Sequence, residues 1–260
     1  MRPTGCHAKH REGAAALMAA TTYALYLESG PKRRKTMVHA LDLLGCVAVG
    51  PTTDDALAAT PEAIRAYLRF LRHHGESDTP SPDAPFTTEV VEHITEGSWL
   101  GNGSPYLIFG PDLEPVTDAD MDVYLHRVRW LCDELADWAA SQTDAELDAQ
   151  PMGGGRASRA VLLHVLGSQG AYLAAALGSA PGFSKIAGAA ERGQLALANA
   201  LRQSAALIAT QARATTPEQR AAVRELPAGP RTLRKAFRRM LEHNWEHLAE
   251  LARRPGGPAL

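Results

Sequence analysis

The sequence predicts an α+β unit over residues 21–112, with three or four strands and one helix, followed by an all-α up-down four-helix bundle over 117–254. Three observations carry this reading. Short runs with alternate residues apolar crowd the N-terminal part, long stretches with apolar residues every three or four positions fill the rest, and segments rich in Pro, Gly and Ser separate them. A hydrophobic content of 45% is enough to bury a core, and a net charge of −2 gives no general basic bias, so nucleic acid is not an expected partner.

Residues 1–20 open with basic residues and then AAALMAA, an apolar run too short for a secretory signal, and read as a disordered extension. TTYALYLESG follows, with Tyr23, Leu25 and Leu27 alternating; then the charged turn GPKRRK, the segment TMVHALDLLGC, and a third strand at 46–49. Gly50-Pro51 stops that strand. Thr52 or Thr53 can cap a helix that turns Ala56, Leu57, Ile64, Leu68 and Leu71 toward the sheet, kinks at Pro61 and ends at Gly75.

These pieces resemble a HicB-like domain, the small antitoxin-type module. Residues 23–28 stand for its first strand, Leu43-Leu44-Gly45-Cys46 for its proline-leucine-proline-glycine-cysteine turn, and GPTTDDAL for its helix entry. Leu replaces the prolines and Asp55 stands where Glu is usual. The resemblance implies dimerisation or partner recognition, although no helix-turn-helix or ribbon-helix-helix pattern follows. Lys32, Arg33, Arg34 and Lys35 read as a solvated hairpin tip.

Residues 76–85 are a linker by composition. FTTEVVEHI and a buried strand at 106–109 then complete or cover the sheet, with His93 on a strand surface. Thr117 to Asp120 form a capping box into the first bundle helix, whose inward face carries Met121, Tyr124, Leu125, Val128, Leu131, Leu135 and Trp138. His126 points outward, Cys132 packs at the edge of the stripe, and Trp130 is placed for an inter-domain contact. A second helix spans RASRAVLLHVLGSQGAYLAAALG. A third, over 187–212, turns Leu195, Ala198, Leu201, Ala205 and Ile208 inward. Thr216-Pro217-Glu218 starts a short helical turn before the last helix.

That last helix lies in 231–254, RTLRKAFRRMLEHNWEHLAELARR. Leu233, Phe237, Met240, Asn244, Leu248 and Leu251 fall on one face, and Arg239, Glu242, Glu246 and Arg253 on the other. His243 and His247 stand one turn apart, which is half of a transition-metal site. His164, on the second bundle helix among Ala160, Gly167, Ala171 and Ala175, is the best candidate for a third donor: small neighbours leave room for the ring, and a histidine in such a helix needs a partner.

LLHVLGSQGAYL followed much later by RRMLEHNWEHLAEL resembles the DinB-like superfamily of four-helix bundles, in which one His on the second helix and an HxxxH pair on the last bind a divalent metal. His164, His243 and His247 match those positions one for one. The resemblance implies a divalent transition metal, zinc, nickel or iron, and a low-molecular-weight thiol such as mycothiol or bacillithiol as a second cofactor. It also implies a metal-dependent transferase, isomerase or hydrolase-type activity on a small-molecule substrate. Asn244, in the middle of the apolar face, is a candidate for binding that cofactor or for an inter-helix hydrogen bond.

No Ser-His-Asp arrangement and no paired carboxylates suited to glycoside or phosphoryl chemistry are evident, so catalytic residues beyond the triad are unassigned. Two readings stay open: a metal- and thiol-dependent enzyme, or a non-catalytic metal-binding protein of a stress or toxin-antitoxin-like system, with the HicB-like part serving partner recognition or a homodimer. Cys6, Cys46 and Cys132 form no CxxC pair, so a reducing cytoplasm is the simplest setting. No run of about eighteen apolar residues marks a membrane span.

Overall fold

The computed structural model describes residues 20–260, so the expected extension at 1–20, and Cys6 with it, lies almost entirely outside the described residues. Four strands form one sheet in the order β3-β2-β1-β4: β1 (Thr21–Ser29), β2 (Thr36–Ala40), β3 (Cys46–Gly50) and β4 (Phe86–Ile94). β1 pairs antiparallel with β2 and parallel with β4, and β2 pairs antiparallel with β3. Alternation in β1 puts Tyr23, Leu25 and Leu27 into the core, as the pleat requires.

α1 (Thr53–His73) connects β3 to β4 and packs on β3 and β2. The Thr52 hydroxyl caps its N-terminus by accepting from the Asp55 backbone N–H at 3.1 Å. The helix continues through Pro61 and buries Ala56, Ile64, Leu68 and Leu71 as expected, with Tyr67 and Phe70 added. Gly45, at φ +110°, makes the tight turn into β3, and the Tyr67 hydroxyl donates to the Leu44 carbonyl beside it at 2.9 Å.

The segment 106–109 is not a strand. Its backbone is turned to other partners: the Leu107 carbonyl accepts from Lys235, and the Phe109 N–H donates to the Asp112 carboxylate at 2.9 Å. Phe109 is nevertheless fully buried, its ring against His39 and Tyr26.

The bundle comprises α2 (Asp118–Ser141), α4 (Ser158–Leu177), α6 (Leu197–Arg213) and α8 (Leu233–Ala252), with short helices α3 (Asp144–Asp148), α5 (Phe183–Glu191) and α7 (Pro217–Ala221) in the connections. The Thr117 to Asp120 capping box is present, with both reciprocal hydrogen bonds formed. The single third helix expected over 187–212 is instead two, α5 and α6. Gly193, at φ +68°, lies between them, a conformation that ends a helix at little cost to glycine alone. α2 packs on α6 and α8, and α4 packs on the same two, so α2 and α4 face each other across the bundle rather than side by side. The long connection between them gives the chain room to cross.

α4 is long and apolar enough to cross a membrane by length and composition. Its apolar residues Val161, Leu162, Val165, Leu166 and Leu173 are buried in the bundle. At the centre, Gln169 of α4 donates to Cys132 of α2 at 3.2 Å and accepts from Ser204 of α6 at 2.5 Å, and its amide lies 3.4 Å from the Asn244 oxygen of α8. One buried side chain of α4 thus meets polar groups from the three other helices of the bundle.

Sheet and bundle share a continuous core. Trp245 of α8 packs edge-on to Tyr67 of α1 at 5.0 Å, and Trp130 of α2 stacks on His74 at 5.4 Å. Arg127 reaches from α2 to Glu76 and to the Leu44 carbonyl.

Much of the face of α8 expected to meet solvent is covered, although Arg253 stays exposed and Glu246 half-buried. Arg238, Arg239 and Glu242 are each 2% exposed or less, because the sheet and the loop after β4 lie over them. Arg238 grips Asp112 through two bonds of 2.7 and 2.8 Å, Glu242 accepts from Arg239 at 2.6 Å, and His39 of β2 bonds Glu242 at 2.7 Å. Burial opposes charge on Glu242, but His39 and the two arginines hold its carboxyl far below the ordinary value. Burial would likewise keep His39 neutral, and Glu242 overrides it and raises the imidazole.

Candidate metal centre

α4 and α8 lie side by side, and their contact brings His164 to the HxxxH pair. The helical repeat sets His243 and His247 one turn apart on α8. Thr232, the N-cap, accepts from the Lys235 backbone N–H at 3.1 Å and fixes the start of that helix. His243 Nε2 lies 2.9 Å from His164 Nε2 and 3.2 Å from His247 Nε2. One ligand atom from each of the three residues falls within 4.8 Å of the others. Donors held tetrahedrally at about 2.0–2.1 Å from a zinc-like ion would stand roughly 3.3 Å apart.

The ring orientations fit that use. His247 Nδ1 is 2.7 Å from the Glu250 carboxylate, which fixes the proton on Nδ1 and leaves the Nε2 lone pair toward the cluster. Glu250 is held in turn by Arg254 at 2.7 Å. His243 Nδ1 is buried with no hydrogen-bond partner among the described residues. With His247 Nε2 unprotonated, three ring nitrogens this close share few protons, and a cation satisfies all three lone pairs at once.

Electrostatics favour neutral rings, the form that ligates. Burial lowers the pKa of His243 well below the ordinary value, with His247 and Arg239 adding to it. Burial and then Arg156 lower His164. Burial lowers His247 as well, against the opposing pull of Glu250.

His164 lies on the exposed side of the cluster and His243 on the buried side. A cleft of about 520 Å³ opens beside the triad, with Glu246, His247, Glu250 and Arg253 as polar walls and Val47, Val49 and Trp245 as apolar ones. Burial pushes the Glu246 carboxyl up to about 7, and Glu242 adds to the shift. A larger cavity, of about 680 Å³, lies elsewhere, against Phe70, Trp138 and residues 256–260.

Asn244 is fully buried and turned to Gln169 and Cys132, so the contacts of its amide are inter-helix ones. Glu250 and Tyr172, whose ring lies 5.8 Å from that of His243, border the triad, and Glu246 lines the cleft beside it; none of the three was named from sequence as a site residue. Glu250 carried a local signal, standing three residues after His247 on the same helix. His126 is exposed, and His93 bonds Ser29 at 2.8 Å. Cys46 and Cys132 are buried free thiols, pushed up by burial.

No curated protein and no solved structure gives a match to this chain. A family model does, and its span takes in all three histidines and most of the bundle while leaving out the sheet. Residues 125–251 match the model of the DinB superfamily, which is metal-binding in general, and this C-terminal region is similar to a DinB domain.

Proposed function

We propose that His164, His243 and His247 hold one divalent transition metal through their Nε2 atoms, and that the chain uses it as a metal-dependent transferase or hydrolase-type enzyme. The convergence of three ring nitrogens from two helices carries this reading. Zinc, nickel or iron with three imidazole donors keeps a coordination position and, when bound, would activate a water or a small thiol at neutral pH. Glu250 orients His247, the bundle core excludes water behind His243, and the cleft beside His247 admits a small molecule.

The open cleft favours an enzyme over a protein whose metal is only structural, in which the ion would be covered. The HicB-like pieces lie on β1, on the turn at Gly45 and at the cap of α1, and on this reading the sheet serves partner recognition or a homodimer. Metal analysis of the purified protein, paired with a screen for thiol transfer and hydrolysis, tests the proposal. About one equivalent of metal per chain is expected, lost on His164→Ala and His243→Ala. Retention of metal by His164→Ala would overturn the triad.

A further inference from the structure

A second cavity lies along the same pair of helices. It holds about 200 Å³ and is lined by Arg231 just before α8, by Lys235 and Arg239 of α8, by Tyr172 and Ala175 of α4, and by Tyr106 of the loop after β4. Three cationic side chains face it, and no carboxylate is among its described lining residues. Arg239 is committed to Glu242 at 2.6 Å. Among the described residues the other two cations hydrogen-bond only backbone oxygens: Arg231 those of Gly229 and Pro230, at 2.9 Å each, and Lys235 that of Leu107.

Lys235 is 3% exposed, and leaving a buried ammonium without a hydrogen-bonded anion is costly. The N-terminus of α8 adds its partial positive charge at the same end. The small residues Ala171, Ala175 and Ala176 of α4 leave the space open.

The cavity is continuous in placement with the triad. Tyr172 lines it and also touches His243. Along α8, Arg239 is one turn from His243 and Lys235 two turns, about 6 and 12 Å at the helical rise.

We propose that this cavity is an anion subsite, in which Lys235 and Arg231 seat the carboxylate of a small molecule whose other end reaches the histidine triad. The assignment rests on the metal reading above and adds the substrate class to it: an elongated carboxylate carrying a metal-seeking group about two helical turns away. Arg239 stays paired with Glu242 and forms the wall between the two ends.

The test uses full-length protein loaded with Co(II), whose absorption reports both metal uptake and thiolate coordination. 6-Mercaptohexanoate and 8-mercaptooctanoate are titrated against the alcohols of the same lengths. The carboxylates are expected to bind about tenfold more tightly than the alcohols, the scale of a charge-assisted hydrogen bond. That preference should collapse in Lys235→Met and in Arg231→Gln and survive in Lys235→Arg. Should Lys235→Met fail to fold, the parent ratio and Arg231→Gln decide. Equal binding of acid and alcohol by the Co(II)-loaded parent overturns the subsite and leaves the metal centre standing. A preference that persists in both charge-removing variants also overturns it, because the carboxylate is then bound elsewhere. Absence of Co(II) uptake overturns the metal reading and the subsite with it.

Discussion

His243 Nε2 lies 2.9 Å from His164 Nε2, although 79 positions separate the two residues in the chain. Two aromatic nitrogens that close either share a proton or share a cation. Glu250 settles which for the neighbouring ring by holding the Nδ1 proton of His247, so the Nε2 lone pair of that ring faces inward.

Glu250 therefore sets metal affinity without touching the ion. Glu250→Ala should weaken binding of Zn(II) by about 10- to 100-fold, the usual cost of removing a ligand's hydrogen-bond partner, while leaving the stoichiometry at one. Competition with a chromophoric chelator measures this, and unchanged affinity would place the His247 orientation under other control.

The ion pair of Arg238 with Asp112 is buried at 1% exposure on both sides. Asp112→Ala leaves the buried Arg238 guanidinium with only its longer contact to Glu242, at 3.2 Å, and should destabilise the fold by about 3–5 kcal/mol in urea denaturation. Glu62→Ala, which removes an exposed pair with Arg69, should cost less than about 1 kcal/mol. Similar costs for both would mean that the covered face of α8 is solvated.

Gly45 has φ +110°, and a Cβ there would lie 2.1 Å from the Tyr67 hydroxyl. Gly45→Ala must bear both backbone strain and displacement of a buried ring that packs on Trp245. A loss of about 2–5 kcal/mol is expected, read as a fall in Tm. A variant as stable as the parent would show that the turn into β3 can be rebuilt.

Lys235 gives a pH signature. Burial, and then Arg238, lower its pKa to about 7 from an ordinary 10.5. Between those values the unfolded chain holds a proton that the folded chain lacks, so the lysine's contribution to stability rises with pH across that window. Below about 7 its penalty is constant. The stability difference between Lys235→Met and the parent should therefore shrink by up to a few kcal/mol from pH 7 to 10. A difference that stays flat with pH would mean that Lys235 keeps its ordinary pKa in the fold.

Much of the site was legible in the residues. The four-residue step from His243 to His247 places two donors on one helix face whatever the rest of the chain does, and Thr117, Thr52 and Gly45 fix caps and a turn by chemistry that reaches no further than their neighbours. The same local rules located the strands and α1, α2, α4 and α8.

What they could not give was which face of α8 meets water. Arg239 and Glu242 read as solvated from their spacing, since periodicity separates polar from apolar faces but does not know what packs on either. Only the docking of β2 and of the loop after β4 turned them into a buried network. The meeting of His164 with the pair, the Gln169 cluster and the cationic cavity at Lys235 have the same origin. They depend on α4 and α8 lying side by side, and that adjacency comes from the packing of whole helices, a long-range outcome that no single segment encodes.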